Sequence, residues 1–370
     1  MQFDFSDGQK ELRDSVRRFF ADNCPPSIVR GVIAGETSHD TGLWKAVSEN
    51  GFLAAALPEA FGGVGAGYLE LCVVAEELGR VLAPLPSVSS IYLAAEFLLT
   101  AGSEAQKQRW LPKLASGEII GALALAERPG ETTPALIEAR VSDGKLSGAK
   151  MPVIDGLCAT LAIVAARDEA DALSLYLVDL SGPGVARSAV KVIDQSRKAA
   201  RITFDEAPAE LLGTTGEGWT LVEAIRDRAA ILTAFEQIGG AEAALTMARD
   251  YALQRFAFGR QIGSFQAIKH MLADMYVALE LARSNCYYGA WALSVNAGVL
   301  PLAAAQARVA ATQAYQLCSA NNIQVHGGMG FTWEFDCHLH YRRSNHLALV
   351  LGGPSFWENR LIGQMRPTAA

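Results

Sequence analysis

A segment with strand character lies between two helical regions, and this order restricts the fold more than any other feature of the sequence. Within residues 117–214, short β-rich runs alternate with turn residues, and Asp143-Gly144 separates two runs as in a β-hairpin. On both sides, apolar residues recur at helical spacing, and the second flank is rich in alanine. The sequence therefore predicts a mainly α fold with a β insertion: an N-terminal helical domain (1–116), a middle β-barrel or sandwich (117–214) and a C-terminal four-helix bundle (215–370).

The elements inside these three regions are predicted from local signals. The first helix begins at Ser6 or Asp7, because either side chain can cap a helix N-terminus. Further helices are predicted at 69–78, 88–99, 104–114, 229–256, 265–296 and 301–323. Strands are predicted at 161–165, 173–180 and 202–204.

Charge and composition exclude several classes of function. The net charge of -7 and the absence of a basic stripe argue against nucleic acid as a partner. The first dozen residues lack the apolar run of a signal peptide, and no stretch approaches the roughly 18 apolar residues of a membrane span. Six scattered cysteines without a CxxC pair indicate buried thiols and a cytoplasmic location.

The segment from Tyr251 to Met275 carries the first candidate site. We expect a helix to end at Phe258-Gly259 and another to begin after Gly263, with Ser264 as its cap. Arg255 then lies near a helix terminus, where a guanidinium can bind a pyrophosphate through two parallel hydrogen bonds. The Phe258 ring could stack on a purine. The alternative is a surface arginine and a core phenylalanine at a turn between helices.

The second candidate site is the motif Gln324-x-x-Gly327-Gly328-x-Gly330. Two adjacent glycines let backbone amides approach a ligand without a Cβ in the way. Gln324 adds an amide side chain that can form hydrogen bonds. The alternative is a helix break that serves packing alone, and His326 beside the glycines could contact a cofactor or have a structural role.

Together these segments resemble the acyl-CoA dehydrogenase superfamily, and the resemblance spans nearly the whole chain. The matching elements are Arg255, Phe258-Gly259, Gln266, Leu272-Ala273-Asp274-Met275 and the Gln324 to Gly330 motif. Further matching pieces are Leu57-Pro58-Glu59-x-x-Gly62-Gly63, Glu76-Glu77-Leu78-Gly79 and Gln108-x-Trp110-Leu111-Pro112. The resemblance implies an FAD cofactor and an acyl-CoA substrate. It also implies that the ADP portion of a neighbouring subunit's FAD is bound by Arg255, Phe258, Gln266, Gln324, Gly327 and Gly328.

The family's contacts to the flavin ring are altered in this chain. The usual Thr-Glu-Pro-Gly-Ala-Gly-Ser-Asp loop corresponds to residues 126–133, which retain little of it. The usual Lys-x-Trp/Phe-Ile-Thr/Ser-Asn segment corresponds to Lys150 through Asp155. Its aromatic residue is replaced by Pro152, and its hydroxyl residue by Ile154, which has no hydrogen bond to give.

The family's catalytic carboxylate is absent from both positions where members carry it. The position after the glycine motif is Leu351, and the alternative position on the first bundle helix is Ala229. Neither side chain can accept a proton, so no residue of this chain is predicted to act as the catalytic base. This pattern resembles the base-less subunit of bacterial heterotetrameric, steroid-type acyl-CoA dehydrogenases, in which a partner chain supplies the base and the isoalloxazine pocket.

The sequence therefore predicts a subunit of an FAD-dependent acyl-CoA dehydrogenase that acts with a homologous subunit and forms an α,β-enoyl-CoA. An electron acceptor flavoprotein is a further expected partner. One alternative is a self-sufficient homomeric enzyme with Asp227 or Glu236 as a relocated base. Another is a non-enzymatic scaffold with the same fold. His338, His340 and His346 lie close in sequence, but packed histidines are favoured over a metal site.

Overall fold

The structure, a computed structural model, describes residues 5–35 and 37–366. The chain forms two compact units, each assembled from segments that are distant in sequence. The helical unit comprises Met1–Val29, Tyr68–Ala83 and Ala230–Ala370, and the sheet unit comprises Arg30–Gly67 and Pro84–Ala229. The predicted fold class is confirmed: helical N- and C-terminal regions flank a central mixed sheet.

The N-terminal region is helical, as predicted. Its α-helices are α1 (Asp7–Asn23), α2 (Pro26–Ala34), α3 (Thr41–Glu49), α4 (Tyr68–Arg80), α5 (Glu96–Ala101) and α6 (Glu104–Ala115). Ser6 is the N-cap of α1, and its side chain and that of Gln9 bond each other's backbone amides in a capping box. The helix predicted at 88–99 is present, but Val88–Ala95 has the wider turns of a π-helix before α5 begins.

Eight strands of the sheet unit form one mixed sheet. The strands are β1 (Gly121–Ala124), β2 (Arg140–Ser142), β3 (Lys145–Ile154), β4 (Leu161–Arg167), β5 (Leu173–Asp179), β6 (Val185–Val190), β7 (Ala199–Pro208) and β8 (Glu210–Leu212). The sheet order is β6-β7-β3-β2-β4-β5-β8, and β1 pairs with β4 in parallel. The hairpin predicted at Asp143-Gly144 is confirmed, because Ser142 pairs with Lys145 and both turn residues have positive φ.

The helical unit continues through the C-terminal region. It contains most of α7 (Gly218–Gln254), the short strands β9 (Phe256–Ala257) and β10 (Arg260–Gln261), α8 (Gln266–Ser294), α9 (Leu300–His326), α10 (Cys337–Leu349) and α11 (Pro354–Met365). Small residues let these helices pack closely: a Cβ on Gly289 would lie 3.4 Å from the Cβ of Ala307. Among the residues that the structure describes, no helix is long and apolar enough to cross a membrane.

One predicted helix end and one predicted helix cap in this region are wrong. Helix α7 ends at Gln254, and Phe258-Gly259 instead forms the two-residue turn between β9 and β10. Glycine after a helix signals a helix end or a hairpin turn equally well, and here both turn residues take positive φ. Helix α8 begins at Gln266, and the Ser264 hydroxyl does not cap it but donates to the carbonyl of Gln261 at 2.7 Å.

Candidate cofactor-binding site

The hairpin after α7 presents Phe258 to solvent. Phe258 and Gly259 have φ of 54° and 78°, which is the geometry of a type I′ turn. Residues other than glycine rarely adopt this backbone conformation, because it costs them roughly 1–2 kcal/mol. The Phe258 side chain is nevertheless 95% exposed, so burial of its ring in this chain does not offset the cost.

Neighbouring contacts hold the hairpin in place. The amide of Ile262 donates to the carbonyl of Arg255 at 2.8 Å, which closes the base of the hairpin. The Arg260 guanidinium lies 4.0 Å from the centroid of the Phe265 ring, and that ring meets Phe258 edge to face at 6.2 Å. The exposed ring of Phe258 therefore projects from an ordered support.

Arg255 and Gln266 flank this hairpin, and both are exposed. The backbone amide of Arg255 donates to the carbonyl of Tyr251 at 2.8 Å, which fixes the start of the hairpin on the last turn of α7. Across residues 5–35 and 37–366, no hydrogen-bond or ion-pair partner satisfies the Arg255 guanidinium or the Gln266 amide. Both groups are available to an external ligand.

The glycine motif forms an open turn at the end of α9. Gly327 has φ of 60° and ψ of -138°, a backbone conformation that is unfavourable for residues other than glycine. A Cβ on Gly327 or Gly328 would meet nothing within 4 Å, and both residues are exposed, as is Gln324. Gly330 is different: its Cβ would lie 2.6 Å from the carbonyl oxygen of Ile323, so this glycine serves packing.

An aromatic contact joins the hairpin and the glycine turn. The rings of Tyr251 and His326 stack with centroids 4.0 Å apart and planes 24° apart. Phe335 meets both rings, at 6.2 Å from Tyr251 and 5.8 Å from His326. The structure therefore brings together, within the helical unit, the two segments that the sequence predicts as one nucleotide site.

His326 is held in one tautomer. Its Nδ1 lies 2.8 Å from the carbonyl oxygen of Asn322, and since a carbonyl only accepts, Nδ1 carries the proton. Burial lowers the pKa of His326, against the opposing effect of this hydrogen bond. The ring is therefore neutral at neutral pH.

The predicted cofactor residues match the donor set that a dinucleotide requires. A guanidinium, two side-chain amides, two open backbone amides and an exposed aromatic ring lie on the hairpin, the start of α8 and the end of α9. These groups can bind a pyrophosphate and stack on a purine. They supply neither a nucleophile nor a proton acceptor, so the arrangement can bind a nucleotide but cannot transform it.

The segments predicted to correspond to the family's flavin-ring contacts lie in the sheet unit, where Lys150 and Glu127 pair with each other. The buried Lys150 ammonium lies 2.7 Å from a carboxylate oxygen of Glu127 and 3.2 Å from the carbonyl of Leu125. The Glu127 carboxylate also accepts from the amides of Glu138 and Ala139. Burial lowers the pKa of Lys150, and the hydrogen bond and charge of Glu127 oppose this shift.

Neither of the two residues predicted to stand at the base positions, Ala229 and Leu351, is a carboxylate. Ala229 is buried on α7, and Leu351 lies in the turn after α10 with φ of 68°. That turn is held by Arg308, which donates to the carbonyls of Leu347 and Val350, the latter at 2.7 Å. The sequence prediction missed Arg308, although a single arginine in the alanine-rich run of α9 was a visible signal.

The environment of Arg308 also bears on the relocated base. Burial lowers the pKa of Arg308 to about 9, and the nearby charge of Glu236 opposes this shift. Glu236 is 1% exposed, so in the helical unit it acts as a counter-charge to a buried guanidinium. Asp227, in the sheet unit, is 3% exposed.

The histidines of α10 are packed among other side chains. His340 is buried, with Nδ1 3.1 Å from the hydroxyl of Tyr315, and His338 meets the Trp333 ring edge to face at 4.5 Å. In the part of the chain that the structure describes, no group of three or more histidine, cysteine or acidic side chains could hold a metal ion.

Comparison with known proteins shows the family. Residues 6–118 match the model described as acyl-CoA dehydrogenase, N-terminal domain, and residues 216–363 match acyl-CoA dehydrogenase, C-terminal domain. The acyl-CoA dehydrogenase IpdE2 of Mycobacterium tuberculosis is 32% identical over 344 residues, which cover 93% of this chain and 92% of that protein. The chain therefore belongs to the acyl-CoA dehydrogenase family, whose activity is that of FAD-dependent oxidoreductases.

Two solved structures are similar over almost their whole length. A chain of the ChsE4-ChsE5 complex from Mycobacterium tuberculosis matches with a TM-score of 0.90 and 27% identity, over 100% of both chains. A chain of the Tcur3481-Tcur3483 steroid ACAD variant matches with a TM-score of 0.86 and 29% identity, over 97% of this chain and 98% of that one. Each of these two structures is named for a pair of proteins: ChsE4 with ChsE5, and Tcur3481 with Tcur3483.

Proposed function

We propose that this chain is a subunit of a heteromeric acyl-CoA dehydrogenase and contributes the ADP-binding half of a partner subunit's FAD site. The observation that carries the proposal is the Phe258 ring, which is 95% exposed on an ordered hairpin with strained backbone. Such a ring is costly for an isolated chain, and a bound purine would cover it. The unpaired guanidinium of Arg255 at the base of the same hairpin supplies the charge that a pyrophosphate needs.

Each predicted residue has a role in this site. Arg255 binds the pyrophosphate through two hydrogen bonds, and the amides of Gly327 and Gly328 donate to phosphate oxygens. Phe258 stacks on the adenine. Gln266 and Gln324 orient the nucleotide by hydrogen bonds, so the chain binds one end of the cofactor and excludes water from it.

The chemistry takes place on the partner's side of the interface. FAD, when bound, accepts the hydride that leaves the β-carbon of the acyl-CoA. This chain provides no proton acceptor at Ala229 or Leu351, so the partner supplies the base and the isoalloxazine pocket. The ChsE4-ChsE5 and Tcur3481-Tcur3483 structures, each of two proteins, support assembly with a homologous second chain. The proposed substrate is a steroid acyl-CoA thioester, and the proposed location is the cytoplasm. An electron acceptor flavoprotein would reoxidise the reduced FAD.

The test is co-expression with a homologous chain that retains the family's glutamate. We expect a yellow complex, half as many FAD molecules as subunits, and acyl-CoA-dependent bleaching of the flavin. Arg255→Ala in this chain should lower the FAD content of the complex. Arg249→Ala is the matched control, because Arg249 is an exposed arginine of α7 whose guanidinium pairs with its neighbour Asp250.

Two results would overturn the proposal. The first is stoichiometric FAD and turnover in the chain purified alone, which would establish a homomeric enzyme; loss of that turnover in Asp227→Asn or Glu236→Gln would then identify its base. The second is an FAD content of the complex that Arg255→Ala leaves unchanged. A complex that binds acyl-CoA but never FAD would favour the non-enzymatic scaffold.

A further inference from the structure

We propose that Tyr251 and His326 are positioning residues, whose stacked rings hold the Arg255 hairpin and the Gly327-Gly328 turn at a fixed separation for one bound dinucleotide. The inference rests on the proposed function above. It goes beyond that function because neither ring belongs to the set of cofactor-binding residues that the sequence predicts.

The stacked rings of Tyr251 and His326 connect the Arg255 hairpin directly to the Gly327-Gly328 turn. The carbonyl of Tyr251 accepts from the amide of Arg255, so the ring and the start of the hairpin share one helical turn. His326 is the last residue of α9 and precedes Gly327 directly. A centroid distance of 4.0 Å is van der Waals contact between rings, so a shift of one motif must move the other.

Histidine at position 326 combines a ring that can stack with a hydrogen-bond donor, which a purely apolar side chain lacks. Its Nδ1 proton is donated to the carbonyl of Asn322, one turn earlier on α9, and this bond ties the ring to the helix backbone. The same bond fixes the ring plane against Tyr251. Phe335 contacts the edges of both rings and leaves them little room to rotate.

The test measures FAD affinity in the complex with the flavin-bearing homologous chain, by fluorescence titration of the complex stripped of FAD. We expect Tyr251→Ala and His326→Ala each to weaken FAD binding about three- to tenfold, as loss of one aromatic pair does. The double variant should be weakened by less than the product of the two single effects, because both remove one contact. Tyr251→Phe, which keeps the ring, should retain the affinity of the unchanged complex.

A ligand control separates positioning from general damage. FMN lacks the AMP part of FAD and therefore has neither the adenine nor the pyrophosphate, so its affinity should be the same in all variants. His326→Phe keeps a ring for the stack but loses the bond to Asn322, and we expect it to fall between His326→Ala and the unchanged complex.

Unchanged FAD affinity in Tyr251→Ala and His326→Ala, or an equal loss for FMN and FAD, would overturn the inference. Arg255→Ala in the same complex distinguishes this failure from that of the proposed function. If Arg255→Ala weakens FAD binding while the two ring variants do not, only the positioning role is wrong. If Arg255→Ala also has no effect, the proposed nucleotide site is wrong.

Discussion

Gly79 on α4 lies against the backbone of Glu236 on α7, and a Cβ at residue 79 would be 1.9 Å from the carbonyl oxygen of Glu236. The contact is reciprocal, because a Cβ on Gly239 would be 1.9 Å from the carbonyl oxygen of Glu76. Backbone touches backbone at both points, so neither site can relax by rotating a side chain. Within the helical unit, the close approach of α4 and α7 therefore depends on two glycines.

Gly79→Ala is expected to destabilise the protein by more than about 3 kcal/mol, since overpacking against backbone must move a helix. Gly31→Ala is the control, because Gly31 lies inside α2 with nothing within 4 Å of its Cβ position. This second change should stabilise by about 0.5–1 kcal/mol, the usual gain in helix propensity. Urea unfolding measures both, and a stable Gly79→Ala protein would show that α4 and α7 are not held at this distance.

Phe258→Asn should separate stability from function. Asn-Gly is the preferred type I′ turn, so the change relieves strain at φ of 54° and should stabilise the isolated chain by about 1 kcal/mol. In the complex it removes the ring proposed to stack on adenine, and FAD affinity should fall about tenfold or more. Unfolding and flavin titration test the two effects, and a variant that loses stability would contradict the strained hairpin.

His340 should make the helical unit sensitive to acid. Burial lowers the pKa of His340 from 6.5 to about 3, and the charge of Arg343 acts in the same direction. As pH falls, the unfolded state binds a proton at His340 before the folded state does, because the pKa is lower in the folded state. The contribution of the neutral, buried His340 to the free energy of unfolding is therefore complete above pH 6.5 and is lost as pH falls toward 3. At pH 5 the loss amounts to about 2 kcal/mol.

His340→Gln should flatten the decline of stability between pH 6.5 and 5, measured by urea unfolding at each pH. Tyr315→Phe removes the hydroxyl 3.1 Å from Nδ1 but should keep the slope, because burial is the larger cause of the shift. The role of His340 would be disproved by a slope that survives His340→Gln.

Glu242 should also make the protein less stable in acid, but at lower pH than His340. Burial alone would raise its pKa, but hydrogen bonds and charges of Arg80 and Arg283 bring the pKa to about 2. An acid with a lowered folded-state pKa stabilises above its unfolded value of 4.5, and this contribution is lost as pH falls toward 2.

Glu242→Gln should therefore cost about 2 kcal/mol at pH 7, after allowance for the partial exposure of Glu242, and nothing below both pKa values. Glu49→Gln is the control, because Glu49 and Lys45 form an exposed pair at 3.7 Å that should contribute little at any pH. Equal effects of the two changes would indicate that the network of Arg80, Arg283 and Glu242 is only a surface feature.

Local signals explain why much of the fold could be predicted. The N-cap at Ser6, one of the two predicted candidates, and the Asp143-Gly144 hairpin each depend on neighbouring residues, and the structure confirms both. The π-helical turns of Val88–Ala95 had no such signal, because their apolar pattern fits an α-helix as well.

The candidate site shows where local reading fails. The sequence predicts a helix end at Phe258-Gly259, since a glycine after a helical run is a common helix terminator as well as a turn residue. The turn is instead a hairpin whose strained phenylalanine is supported by Phe265 and Arg260. The lone arginine in the alanine-rich run of α9 marks Arg308 as unusual, but no local pattern shows that it reaches the carbonyls of a turn after another helix.

The sequence by itself determined the order of helical and strand regions, the family and the residue types at Leu351 and Ala229, because periodicity, caps and motifs are encoded locally. Only the tertiary structure decided how the two motifs meet. The contact of Tyr251 with His326 joins the ends of two helices that are remote along the chain, and no local pattern specifies which rings will stack. The exposure of Phe258 was decided in the same way, because it depends on what the rest of the chain leaves uncovered.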